Sequence, residues 1–182
     1  NDNNIFNAFY KNGYKTGVFG KLTNQDGPYF CSKPRNVTEA GISRVYSMCN
    51  QSDFYDTKYI NYTESVNNEM PYSYTNLSYN DPGSYQGSQI GNESIKFIES
   101  NLKEGNNFVA YVGFHEPHIQ YTPAAWFANA FPNVTAPRTP NFNVKVQNQI
   151  PYVMNNPELD QTAIDNIDQI YRDRIESTLQ VD

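Results

Sequence analysis

The pattern of apolar and polar positions near the start of the chain predicts a helix that is followed by a strand. Residues 3–11 carry apolar side chains at helical spacing, and the pair Asn12-Gly13 is a typical helix stop. Residues 14–19 then alternate and are rich in β-forming side chains, which predicts a short strand. A helix, a turn and a strand in this order indicate an α/β layered arrangement.

The same order of elements recurs in the second half of the chain. From Gln89 to Gly105 the apolar residues lie near helical spacing, and Gly105 is a stop signal. The run FVAYVGF at 108–114 is almost continuously apolar, which predicts a strand buried on both faces in a parallel sheet. Ligands of doubly wound α/β folds bind beyond the carboxyl ends of such strands. The residues directly after this strand run from His115 to His118.

The remaining segments are less regular. The stretch 27–87 is rich in Tyr and Asn and predicts an irregular surface excursion, with short strands near 42–47 and 58–62. A short helix is predicted over 123–131, because Pro123 suits the first helical position. The last segment, 156–182, predicts a long amphipathic helix that runs to the end of the chain without a stop signal.

Composition narrows the function classes. The 182 residues include 19 acidic and 13 basic residues, with a net charge of −6, so a nucleic-acid-binding face is not expected. No apolar run approaches the roughly 20 residues that cross a bilayer, so no membrane span is predicted. Aromatic residues make up 15% of the chain, which is too many for a disordered polypeptide.

Asn is unusually frequent, and six Asn residues head an Asn-x-Ser/Thr sequon within segments that predict loops or helix starts. These residues are Asn36, Asn50, Asn61, Asn76, Asn92 and Asn133. Each could carry a glycan in a secreted protein, although an Asn-rich chain also forms sequons by chance. Cys31 and Cys49 fit one disulfide in an oxidising compartment, and they fit two buried thiols almost as well.

The candidate chemistry lies at the ends of the two predicted strands. The chain's only two histidines, His115 and His118, could bind a metal, exchange protons or hold an anion, or they could be structural groups that cap the strand end. A zinc site is disfavoured, because no third ligand lies nearby in the sequence. Lys21 follows Gly20 at the end of the first strand, where its ammonium group could contact an anion or simply be solvated.

Four stretches, in this order, resemble segments of the sulfatase family. YKTGVFGKLTN at 14–24 is similar to the family's Gly-Tyr-x-Thr-x-x-x-Gly-Lys-x-x-Asn segment, and FVAYVGFHEPHIQYTPAAWF at 108–127 resembles its later strand with a Pro-His pair. NVTAPRTPNFN at 133–143 and YRDRIESTLQVD at 171–182 resemble its glucosamine-6-sulfatase branch. The resemblance extends over nearly the whole chain and is weakest in 27–87.

This resemblance implies an α/β fold of the alkaline-phosphatase-like type, with a mixed or mostly parallel sheet flanked by helices. Residues 1–182 would then be the central part of a single sulfatase catalytic domain, a middle fragment, with 27–87 as the irregular excursion within it. The resemblance also implies a secreted or lysosomal hydrolase whose substrate is a sulfated carbohydrate or an aryl sulfate.

The resemblance assigns roles to two residues. Lys21 corresponds to a lysine that contacts the substrate sulfate, and its charge would neutralise the sulfate oxygens. His118 corresponds to the sulfate-contacting histidine, which would donate a proton or a hydrogen bond to the leaving-group oxygen. No substrate contact is implied for His115, which is expected to lie behind these groups and support them.

Two parts of the family's machinery are missing from the sequence. The family uses a formylglycine made within Cys/Ser-x-Pro-x-Arg, whereas the stretch from Cys31 to Arg35 places its proline one position late and follows the Gly-Lys motif. The family's Ca²⁺ cofactor is implied, but its ligands are expected outside this chain, so no metal ligand is predicted here. Without a nucleophile or a metal, the 182-residue chain alone is expected to be inactive.

Two other functions stay open at this point. A phosphate or phosphonate monoester hydrolase of the same superfamily would share parts of this frame. A non-catalytic glycoprotein could also be built on a degenerate sulfatase scaffold.

Overall fold

The computed structural model describes residues 4–24, 41–49, 58–63, 72–74, 82–145 and 147–182, with 58–63 and 72–74 described by their backbone only. The helices are α1 Ile5–Lys11, α2 Gln86–Glu104, α3 Pro151–Met154 and α4 Gln161–Thr178. The strands are β1 Lys15–Gly20, β2 Arg44–Met48, β3 Lys58–Thr63, β4 Tyr72–Tyr74 and β5 Phe108–Gly113. None of the described helices is long and apolar enough to cross a membrane.

The strands form a five-stranded sheet in the order β4-β3-β2-β1-β5. β1 pairs in parallel with β2 on one side and with β5 on the other, whereas β3 and β4 extend the sheet antiparallel beyond β2. The sheet is therefore mixed, and α1 and α2 pack against it, so the predicted α/β class is confirmed. Since β2, β1 and β5 run in the same direction, their carboxyl ends meet at one edge of the sheet.

The most deeply buried strand is β1 and not β5. From Thr16 to Gly20 every residue of β1 is buried, whereas β5 is mostly half-buried and its Tyr111 is 38% exposed. The prediction that 108–114 is buried on both faces is therefore wrong, because β5 pairs only with β1 in the described sheet. A short apolar run does not reveal whether its strand has one neighbour or two.

Helix α2 covers one face of the sheet. The buried residues of this core are Phe19, Tyr46, Met48, Ile90 and Phe97. Along α2 the buried positions Ile90, Ser94, Phe97 and Asn101 follow one helical stripe. Leu102 also belongs to the predicted apolar pattern of this helix, but it is 65% exposed. Contact with the sheet therefore determines which side of α2 is buried, and that side includes the polar residues Ser94 and Asn101.

Part of the predicted excursion over 27–87 belongs to the sheet. β2, β3 and β4 all lie in this range, and β2 is buried, with Val45 and Met48 each 1% exposed. Parallel pairing with β1 places β2 inside the fold. The stretches between these strands lie outside the described residues.

The helix predicted for 123–131 does not form. The backbone makes a single turn there. The N–H groups of Asn129 and Phe131 then donate to the two carboxylate oxygens of Glu176 in α4, each at 3.0 Å. A helix needs its amides for its own carbonyls, so this contact with a distant carboxylate ends the helical turn.

Two carboxylates, one exposed and one buried, also hold α4 in place. Asp160 caps the helix N-terminus, and the helix ends at Thr178 before the end of the chain, in contrast to the prediction of an uninterrupted run. Arg138 donates to both oxygens of Asp168, at 2.7 and 2.8 Å, and the Ala136 N–H donates to the same carboxylate. These hydrogen bonds hold the pKa of Asp168 below its usual range, with the Arg138 side chain as the largest cause.

Candidate functional site

Two glycines lie side by side at the carboxyl ends of β1 and β5. Gly20 is opposite Gly113 in the strand register, and the N–H of Lys21 donates to the Gly113 carbonyl at 2.8 Å. Lys21 therefore leaves β1 at the same edge of the sheet at which the chain leaves β5 toward His115.

Neither glycine leaves room for a side chain. Gly20 has a φ of +80°, and a Cβ atom at this position would lie 2.1 Å from the Gly113 carbonyl oxygen. A Cβ atom on Gly113 would lie 2.1 Å from the carbonyl oxygen of Lys21. Real Cβ atoms do not approach backbone oxygens so closely, so glycine at both positions is what lets the two strand ends converge.

The two histidines form a stacked pair in the turn that follows β5. Their ring centroids are 4.4 Å apart with an angle of 24° between the ring planes. The His118 N–H donates to the His115 carbonyl at 2.9 Å, and the Glu116-Pro117 peptide bond between them is cis. His115 is buried, with 4% of its surface exposed, whereas His118 is exposed. The turn thus presents one imidazole to solvent and keeps the other behind it.

Charges at this edge of the sheet converge on His115. Burial lowers the pKa of His115 to about 4, and repulsion from His118 and from Lys21 adds to this effect. His115 is therefore neutral at pH 7, and Lys21 lies close enough to act on it electrostatically. The structure places Lys21, His115 and His118 at the same edge of the sheet.

The stability of the protein is expected to depend on His115 at acidic pH. The folded-state pKa of His115, about 4, lies below the value of 6.5 for a free histidine. The contribution of neutral His115 to the unfolding free energy is therefore complete above pH 6.5 and is lost as the pH falls toward 4. Relative to a His115→Gln variant, the wild type should lose about 2–3 kcal/mol of unfolding free energy over this range.

Urea unfolding of the purified protein at several pH values would measure this difference. The His118→Gln variant is the control, and it should keep most of the wild-type slope because burial of His115 is the main cause of the shift. The same pH dependence of the unfolding free energy in the wild type and in His115→Gln would contradict the lowered pKa of His115.

One residue of this region escaped the analysis of the sequence. Glu116 is 9% exposed, and its carboxyl group lies beside Gly87 at the start of α2. Its only signal in the sequence is its place between the two histidines. A buried acidic side chain in such a turn is unusual enough to require a structural reason.

No metal centre is formed by the described part of the chain. No group of three or more His, Cys, Asp or Glu side chains within it could hold a metal ion. The described residues therefore do not fit the Ca²⁺ cofactor that the family resemblance implies.

Only some of the predicted sequons and cysteines lie among the described residues. Asn133 lies in an exposed turn, but Asn92 is inside α2 and Asn61 is inside β3, so the expectation of loops or helix starts is wrong for these two. Asn36, Asn50 and Asn76 lie outside the described residues. Cys49 is disulfide-bonded, and its predicted partner Cys31 also lies outside that part of the chain.

Comparison with known proteins identifies relatives of the chain. It is 33% identical over 109 residues to the protein named sulfatase ppz1 of Metarhizium majus, across 56% of this chain and 26% of that protein. It is 29% identical over 182 residues to the N-acetylglucosamine-6-sulfatase of Capra hircus, across 98% of this chain and 31% of that protein. No family model matches the chain.

A solved structure shares the fold. It is the structure of BT4656 in complex with its substrate D-glucosamine-2-N,6-O-disulfate, with a TM-score of 0.55 and 15% identity over 95% of this chain and 42% of that chain.

These findings, together with the paired strand ends, define an α/β protein of the alkaline-phosphatase-like type. The chain is similar in sequence to curated sulfatases, in line with its resemblance to that family. It spans about a third or less of the length of the curated relatives it matches.

Proposed function

We propose that the full-length protein is a sulfuric ester hydrolase and that this chain supplies the groups that contact the sulfate. The observation that carries the proposal is the convergence of Lys21 and His118, from the ends of two adjacent parallel strands, on the same buried His115. A cation and an exposed imidazole at the carboxyl edge of a parallel sheet are suited to an anionic substrate.

Each group has a distinct role in this proposal. The Lys21 ammonium neutralises sulfate oxygens as negative charge shifts during S–O cleavage. His118 is exposed and donates a hydrogen bond or a proton to the leaving-group oxygen. His115 is neutral and buried, and it supports the His118 ring by stacking without adding a second positive charge next to Lys21.

The substrate we propose is a sulfated amino sugar. Two comparisons support this class, since one relative is an N-acetylglucosamine-6-sulfatase and the solved neighbour binds a glucosamine disulfate. We place the protein outside the cell or in the lysosome, because the disulfide at Cys49 and the predicted sequons suit an oxidising secretory route.

The nucleophile and the metal are not assigned to this chain. The family resemblance implies a formylglycine and Ca²⁺, and neither the sequence motif nor a set of metal ligands is found in the residues described above. The contribution derived for this chain is therefore limited to binding the sulfate, stabilising its charge and protonating the leaving group.

The proposal is tested by assaying the full-length gene product against three substrates, N-acetylglucosamine 6-sulfate, an aryl sulfate and the matching aryl phosphate. We expect turnover of both sulfates and at least about 10²-fold slower turnover of the phosphate, because a phosphate monoester has the same tetrahedral shape as a sulfate monoester but carries more negative charge at neutral pH. Faster phosphate hydrolysis would identify a phosphate ester hydrolase instead. A complete lack of turnover in a folded protein would favour the non-catalytic scaffold.

A further inference from the structure

Glu116 places a carboxyl group at the start of a helix that has no cap of its own. The N-cap residue of α2 is Tyr85, and no side-chain capping hydrogen bond is formed there. The Glu116 side chain points to this helix end, since a Cβ atom built on Gly87 would lie 2.6 Å from Glu116 Oε1. The first N–H groups of a helix attract negative charge.

Burial is the largest influence on this carboxyl and raises the pKa of Glu116, whereas the neighbouring N–H groups of Glu116, His115 and Gly87 favour its charged form. The Tyr85 hydroxyl donates to the Thr122 carbonyl at 3.0 Å. The carboxyl therefore lies in a dry site where polar contacts are strong and are costly to remove.

We infer that Glu116 is a positioning residue that caps α2 from the histidine turn and thereby holds His115 and His118 at the edge of the sheet. α2 is anchored to the sheet through Ile90 and Phe97, so a carboxyl fixed to its first turn is fixed to the rigid core. This inference rests on the proposed function, because holding the histidine turn affects activity only through the position that it gives to His118.

The contact between the Glu116 carboxyl and the first turn of α2 can also be tested by a substitution at Gly87. Its missing side chain leaves the space that the Glu116 carboxyl occupies. A Cβ atom at this position would lie 2.6 Å from Glu116 Oε1 and 2.9 Å from Gln180 Cγ, so alanine would displace two flexible side chains and would not strike the backbone of the sheet. Gly87→Ala should therefore shift the carboxyl without removing it, and alanine suits a helix better than glycine.

The experiment uses the full-length protein with Glu116→Ala, Glu116→Gln and Gly87→Ala, and with Glu99→Gln on the exposed side of α2 as the control. We expect kcat for an aryl sulfate to fall about tenfold or more in Glu116→Ala, because small misplacements of a catalytic group are costly. Glu116→Gln keeps an acceptor oxygen and should lose less, and Gly87→Ala should lose kcat while it stays folded. Glu99→Gln should match the wild type.

Two readouts separate positioning from a general loss of structure. In a His118→Ala background the Glu116→Ala change should have little further effect on kcat, because the group that it positions is gone. Hydrogen exchange at the Gly87 amide should become faster in Glu116→Ala, whether or not the protein is active.

The inference fails if Glu116→Ala and Gly87→Ala both keep the wild-type kcat, or if Glu116→Ala loses the same factor with and without His118. Unchanged exchange at the Gly87 amide would also overturn it. Wild-type turnover in the His118→Ala single variant is a different result, because it would overturn the proposed role of His118 while the exchange measurement still tests the cap.

Discussion

Replacing Lys21 or His118 with alanine in the full-length protein should lower kcat for sulfate esters by about 10²–10³ and leave folding almost unchanged, as the loss of one preorganised charge-stabilising group does. Both side chains lie at the carboxyl edge of the sheet and are not part of the hydrophobic core. The loss should therefore appear in turnover and not in the unfolding temperature.

The two variants should differ in how they respond to the leaving group. Proton donation by His118 matters most when the leaving group is a poor one, so His118→Ala should lose more with a sugar sulfate than with a nitrophenyl sulfate. Lys21 acts on the sulfate oxygens, which all sulfate esters share, so Lys21→Ala should lose a similar factor with both substrates.

Lys15 supplies a matched control for this experiment. It has the same side chain and lies on the same strand β1, but at the opposite end from Gly20. Lys15→Ala should keep the wild-type turnover. Full activity in both Lys21→Ala and His118→Ala would show that the chemistry lies elsewhere, and equal losses in all three variants would point to a structural effect.

Alanine at Gly20 should have the largest effect on stability, with a loss of about 2–5 kcal/mol in unfolding free energy. The φ of +80° is unfavourable for alanine, and the added Cβ atom would lie 2.1 Å from the Gly113 carbonyl oxygen. Relief of this clash would need the ends of β1 and β5 to separate. The same movement would shift Lys21 away from the histidine turn, so activity should fall as well.

Gly91→Ala is the control for this substitution. Gly91 lies inside α2, and a Cβ atom there would meet no other atom within 4 Å. The change should raise the unfolding free energy by about 0.5–1 kcal/mol, because alanine favours a helix over glycine. Urea unfolding of both variants measures the contrast, and a Gly20→Ala protein as stable as Gly91→Ala would contradict the strand-end geometry.

Local patterns in the sequence determine most of the secondary structure of this protein. The helical spacing and the stop signals predict α1 and α2, and the apolar runs predict β1 and β5, because these elements follow from side chains a few residues apart. The motif around Gly20-Lys21 and the His115–His118 pair also stand out, since the chain order places them directly after strands.

The tertiary structure determines how deeply each strand is buried and which contacts hold the loops around the site in place. The apolar run of β5 suggests a central strand, but pairing makes β1 the buried one. Asn129 and Phe131 give their N–H groups to Glu176, which lies more than forty residues away along the chain, so the helical turn before them ends. Contacts between residues so far apart in the chain do not produce a periodic pattern in the sequence.

The same limit explains why Glu116 could not be recognised from its neighbours. Its partners at the start of α2 lie about thirty residues earlier in the chain. The sequence predicts the candidate groups for chemistry at this edge of the sheet, namely one ammonium and two imidazoles. Only the folded chain decides which imidazole is buried and neutral and which faces solvent, because burial and the nearby charge of Lys21 arise when β1 and β5 pair.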